Sequence, residues 1–148
     1  ALTELSLAFV DSLSRLRGGV LNVASVAGFL PGPGSAVYYA SKAYVLAFSE
    51  ALHQELKGRN VRVTTLCPGP VATEFQARAG IPGSKPPWPF ALSAEKVADA
   101  GYCGLLRGRR VVVPGLANKA ITFLPRILPR QMLLAMVDRR QRSRTEVP

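Results

Sequence analysis

The run Val20-Leu21-Asn22-Val23-Ala24, closed by Ser25, decides how the rest of this chain is read. A short, mostly apolar run without alternation suits a strand covered on both faces, as in a parallel sheet. Upstream, Leu2, Leu5, Phe9, Leu13 and Leu16 recur at helical spacing. They predict one helix over residues 1–17, ended by Gly18-Gly19. Downstream, a Gly/Pro-rich loop from Gly28 to Gly34 leads to a helix from about Tyr38 to Lys57. Its predicted buried stripe is Val45, Phe48, Leu52 and Leu56, and Gly58 stops it. Val61-Arg62-Val63-Thr64-Thr65-Leu66-Cys67 is β-branched and predicts a second strand. It halts at Pro68-Gly69-Pro70, because proline cannot continue a central ladder.

Further on, a proline-rich loop from about Thr73 to Leu92 holds the lone Trp88. Ser93-Ala94-Glu95-Lys96 then reads as a helix start, with Ser93 as N-cap and Glu95 in the first turn; that helix reaches about Leu106. Val111-Val112-Val113 predicts a third strand, closed by Pro114-Gly115. Strands alternating with helices imply parallel pairing through right-handed crossovers. The expected fold is a three-layer α/β/α arrangement, doubly wound. Ligands of such sheets sit at the C-terminal ends of strands. Ser25, Tyr38 and the segment Pro68 to Thr73 should therefore share one rim.

Composition narrows the class. Of 148 residues, 48% are hydrophobic and 19% charged, ordinary for a soluble globular domain. No signal-peptide pattern is present, and the first residues read like the middle of a helix. Cys67 and Cys103 read as free thiols, which suits a reducing cytoplasm. His53 reads as a surface or interface residue, and no His/Cys/Asp cluster has metal spacing. The net charge is +10, with ten of the 19 Lys and Arg from Arg107 onward. We therefore divide the chain into residues 1–114 and an apolar-basic tail, 115–148. Pro125 and Pro129 are expected to break any helix there, and the charges argue against a transmembrane span. The tail is suited to covering a substrate pocket, to a subunit interface, or to peripheral contact with an anionic membrane surface. No stacking aromatics interleave with its terminal arginines, so no nucleic-acid partner is expected.

The chemistry rests on Tyr38 and Lys42, which share a helix face at i and i+4. A phenol ordinarily titrates near ~10, and a fixed ammonium beside one favours the phenolate. Tyr can then serve as general acid towards a carbonyl, or as base towards an alcohol. The Ser25 hydroxyl is placed to hold a substrate oxygen as charge develops on it.

Three segments, Gly19 to Gly28, Tyr38-Tyr39-Ala40-Ser41-Lys42-Ala43 and Cys67-Pro68-Gly69-Pro70-Val71-Ala72-Thr73, closely resemble the single-domain short-chain dehydrogenases/reductases. The serine lies 13 residues before the tyrosine, as in that family. The resemblance covers about residues 1 to 113. It implies a Rossmann-like fold and NAD(P)-dependent hydride transfer between a carbonyl and an alcohol. Tyr38 would be the acid/base and would also contact the cofactor. Lys42 would favour its phenolate and bind the nicotinamide ribose, and Ser25 would orient the substrate. Thr73 and the backbone near Val71 would hold the carboxamide, and Pro68 and Gly69 would line the ring. Ala27, Phe29 and Trp88 would supply apolar substrate contacts. The family's glycine-rich phosphate turn, its Asn-Asn-Ala-Gly strand and its helix Asn have no counterpart here. The N-terminal half of the fold is thus expected to be missing from this chain, which alone should bind NAD or NADP weakly and show little turnover. Homo-oligomerisation is expected of the full-length protein. Two alternatives are a sugar-nucleotide epimerase of the extended branch and a catalytically silent relative acting through interactions.

Overall fold

The computed structural model describes residues 1–72 and 91–145. Its elements are α1 (Leu2–Ala8), α2 (Val10–Leu16), β1 (Gly19–Val23), α3 (Ala36–Leu56), β2 (Arg62–Leu66), β3 (Val71–Ala72), β4 (Leu92–Ser93), α4 (Ala94–Leu106), β5 (Val111–Val112), α5 (Leu116–Ile127) and α6 (Arg130–Thr145). Short 3-10 turns span Val26–Phe29 and Lys57–Arg59. The main sheet has the order β1-β2-β5, and both pairings are parallel. Gly19 faces Arg62 and Val23 faces Leu66 in the first; Thr65 faces Val111 in the second.

β2 is the central strand, and its alternation divides the core. Val63 joins Val10, Leu52, Leu56 and Val61 on the face covered by α2 and α3. Leu66 joins Val97 and Val112 on the face covered by α4. Val63 is 0% exposed, and burying a valine side chain completely contributes roughly 1.5–3 kcal/mol. Helices thus cover both faces of a parallel sheet, the expected three-layer arrangement. Asn22 Nδ2 donates to Ser49 Oγ at 2.9 Å, tying β1 to α3 through a buried polar pair. Ser93 caps α4 as expected, accepting from the Lys96 N–H at 3.4 Å. The Glu95 carboxyl is held below its usual range by its own backbone N–H and then by the Ser93 hydroxyl.

Several details differ from the pattern reading. The first helix breaks at Phe9 into two. Ser6 and Val10 are its buried residues, while Leu5, Phe9 and Leu16 are exposed. This segment is apolar on more than one face, and only the face bearing Val10 and Leu13 meets α3 and β2. The left-handed residue ending α2 is Arg17, with φ 51°, rather than a glycine. In α3 the fully buried positions are Leu46, Ser49, Leu52 and Leu56, with Val45 and Phe48 partly buried. The stripe is rotated because Ser49 turns inward to meet Asn22. His53 is half-buried, with Nδ1 2.7 Å from the Val63 carbonyl oxygen, a structural tie to β2. Pro125 lies inside α5 in its last turn and does not end the helix, although it has no N–H to donate to the Ile121 carbonyl; Pro129 does separate α5 from α6. β3 and β4 form a short parallel pair that the turn residues had hidden.

Among the described residues, no helix is long and apolar enough to cross a membrane. Among them, too, no group of three His, Cys, Asp or Glu is set to hold a metal ion.

Candidate active site

The rim at the C-terminal ends of β1 and β2 is built by short local rules. Ala24 N donates to Leu66 O and extends the ladder by one residue. Ser25 follows in extended conformation and turns the chain into Val26–Phe29. Its Oγ accepts from Ala27 N at 3.1 Å, which fixes the oxygen. The same hydroxyl donates to Pro68 O at 3.4 Å, long for an O–H···O bond. Val26 N also donates to Pro68 O, at 3.0 Å. The Pro-Gly turn after β2 is therefore sewn to the serine-bearing end of β1.

α3 begins at Ala36, so Tyr38 lies in its first turn, 41% exposed, and Lys42 lies one turn further on. The Lys42 ammonium is 5.8 Å from the centroid of the Tyr38 ring. It also donates to Val23 O at 3.2 Å. One cation thus links the phenol-bearing turn of α3 to the strand end that carries Ser25. Gly28 makes this possible: a Cβ there would lie 2.7 Å from Lys42 O, so any larger residue would push the loop off α3. Tyr39 meets Tyr38 edge-on, with ring centroids 6.0 Å apart.

The remaining predicted positions fall as follows. Pro68 joins Ser25 as described. Gly69 packs against the side-chain amide of Asn118 on α5, which a Cβ would overlap. Asn118 Nδ2 donates to Pro114 O at 2.8 Å, and its Oδ1 is buried without a hydrogen bond. Val71 packs against the Leu66–Val97–Val112 cluster. Ala27 is buried. Phe29 lines a cavity of about 230 Å³ with Gly28, Leu30 and Pro31, closed by Pro125, Leu128, Arg130 and Leu133 from the tail. Thr73 and Trp88 lie outside the described residues. Pattern reading missed the Val23 carbonyl, Gly28 and Asn118. Backbone carbonyls carry no signal in a sequence, and Asn118 is distant from the Pro-Gly turn along the chain.

Cys67 sits beside this rim, and its thiol is pushed up to about 12. Burial is the main cause and the Glu50 charge adds to it, against weaker lowering by the Ser25 backbone and the Lys42 charge. The thiolate is the reactive form, so Cys67 is inert in the folded protein, whereas Cys103 is exposed. A maleimide at about pH 8 should label Cys103 alone under native conditions, and both residues in denaturant. Equal native labelling rates, read by mass spectrometry, would contradict the burial of Cys67.

The arrangement has counterparts. The family described as short chain dehydrogenase matches residues 1–81. An uncharacterised oxidoreductase of Myxococcus xanthus is 32% identical over 139 residues, covering 94% of this chain and 53% of that protein. The NADPH-dependent 1-acyldihydroxyacetone phosphate reductase of Schizosaccharomyces pombe is 33% identical over 123 residues, covering 69% of this chain and 42% of that protein. A short-chain dehydrogenase from Sphingobium yanoikuyae, solved in complex with NADPH, superposes with a TM-score of 0.68 at 28% identity. That superposition covers 99% of this chain and 53% of the Sphingobium chain. The chain thus spans about half the length of the relatives it matches. With a family match over more than half of its residues, and the fold to go with it, this chain belongs to the short-chain dehydrogenase family.

Proposed function

We propose that this chain carries the proton-transfer machinery of an oxidoreductase that exchanges hydride between NAD or NADP and a carbonyl or alcohol substrate of apolar character. The observation that carries the reading is the double contact of Lys42, 5.8 Å from the Tyr38 ring and 3.2 Å from Val23 O at the serine-bearing strand end.

A nicotinamide cofactor, when bound, supplies or accepts the hydride. The residues present suit its nicotinamide end. Lys42 has three N–H donors and spends one on Val23 O, which leaves two for a ribose. Pro68 and Gly69 would line the ring, and Thr73 with the backbone near Val71 would hold the carboxamide. The NADPH in the Sphingobium structure supports a nicotinamide cofactor.

In the reducing direction, Tyr38 Oη gives its proton to the substrate oxygen as the carbonyl becomes an alcohol. The phenolate left behind is stabilised by the Lys42 ammonium. In the oxidising direction, the same phenolate takes the alcohol proton. Ser25 orients the substrate: the Ala27 N–H fixes Oγ, and its long bond to Pro68 O is readily exchanged for one to the substrate oxygen. Phe29, Ala27 and Trp88 would supply the apolar contacts. The acyl substrate in the name of the Schizosaccharomyces relative supports that character. The test is oxidation of NADH and NADPH by the native protein against a panel of ketones and aldehydes. Turnover that requires Tyr38 is expected; turnover indifferent to it would refute the reading.

A further inference from the structure

We propose that the outward face of α5 docks onto a lipid surface bearing anionic headgroups. A helix on a globular domain normally turns its apolar stripe towards the core. α5 does so only in part: Ala117, Ile121 and Leu124 are partly buried, but a second apolar row is left outside. Leu116, Phe123 and Ile127 are 84%, 53% and 77% exposed, and Ala120 is exposed between them. At positions i, i+4, i+7 and i+11 these four form one continuous stripe. The one fully buried residue among those described in α5 is polar: Asn118 is 2% exposed, bonded to Pro114 O and packed on Gly69. That anchor sets the rotation of α5 and keeps its apolar stripe in solvent.

The charges choose the partner. Lys119 and Arg126 run along one flank of the stripe, both exposed, and α5 contains no acidic residue. The Arg126 guanidinium lies 5.2 Å from the centroid of the Phe123 ring, so a cation and an apolar wedge act side by side. From Arg107 onward there are ten Lys and Arg against two acidic residues. A second copy meeting this face would bring like charges together with no acid on α5 to neutralise them. Nucleic acid would satisfy the cations and leave the stripe in water. An anionic bilayer satisfies both, taking the apolar side chains into the acyl boundary and the cations at the headgroups. At 12 residues α5 is about 18 Å long, too short for the ~30 Å hydrocarbon core, so it lies in the plane of the interface. The cavity shared by Phe29 and the tail joins this arm to the loop that follows Ser25.

The experiment is sedimentation of the full chain with vesicles of phosphatidylcholine alone and of phosphatidylcholine mixed with phosphatidylserine. Binding to the mixed vesicles at low salt, falling with added salt and weak on neutral vesicles, is expected. Lys119→Gln with Arg126→Gln should weaken partitioning about 30-fold. Phe123→Ser with Ile127→Ser should weaken it about a hundredfold or more. All four positions are exposed, so circular dichroism should be unchanged. The proposal is overturned if the chain ignores the mixed vesicles, if it binds neutral ones equally well, or if neither pair of substitutions changes binding. It is also overturned if the chain forms a dimer without lipid that the serine pair dissociates, since the face would then belong to a second copy. None of these readouts depends on turnover, so failure here leaves the proposed role of Tyr38 standing.

Discussion

Replacing Tyr38 with phenylalanine should lower kcat by about 10²- to 10⁴-fold, the range of a lost general acid or base, with cofactor affinity nearly unchanged. The substitution removes one oxygen and leaves the ring. The ring keeps its edge contact with Tyr39 and its place beside the Lys42 ammonium. The phenol is substantially exposed, so losing the hydroxyl should barely alter stability. A group that acts only as the proton moves contributes to the transition state and not to ground-state binding. kcat and kcat/KM should therefore fall together. Steady-state NAD(P)H oxidation, with cofactor binding read separately by nicotinamide fluorescence, checks both halves. An unchanged kcat would remove Tyr38 from the chemistry.

Lys42→Met should do comparable damage by a different route. The methionine keeps an apolar stem of similar reach but loses the ammonium, and with it the bond to Val23 O. Losing a fixed donor beside a developing negative charge typically costs about 10²- to 10³-fold in kcat. The same substitution removes a ribose donor, so the KM for cofactor should rise as well. This joint movement distinguishes Lys42 from Tyr38. Lys42→Arg restores the charge on a planar fork rather than a compact ammonium, so rescue should be partial. If Lys42→Met leaves both parameters as they were, the ammonium only ties α3 to the end of β1.

The parallel order was legible because strands alternate with helices along the chain, which calls for parallel pairing through crossovers. The Ser93 cap was equally plain, since capping is decided within a few residues. Tyr38 and Lys42 could be paired because helical spacing alone puts them on one face. What failed was whatever depends on tertiary rotation. The stripe Leu2-Leu5-Phe9-Leu13-Leu16 looked like a core face, but the segment breaks at Phe9, buries Val10, and of that stripe packs Leu13 against the core while Leu5, Phe9 and Leu16 stay exposed. Ser49 lay outside the predicted stripe and turns inward to meet Asn22. The tail was legible as apolar and basic. That its apolar stripe faces outward follows only from the anchor of Asn118 on Gly69 and Pro114, contacts that no local pattern encodes. At the rim, the Val23 carbonyl that holds Lys42 is backbone and leaves no trace in the letters.

The central claim is that Tyr38 and Ser25 address one substrate oxygen, with Lys42 fixing the phenol end. A crystal structure of the native protein with a nicotinamide cofactor and a bound ketone or alcohol tests it most directly. The reacting oxygen should lie within about 2.6–3.2 Å of both Tyr38 Oη and Ser25 Oγ, with the Lys42 ammonium against the ribose. A substrate oxygen held by other groups, with Tyr38 turned out to solvent, would contradict it.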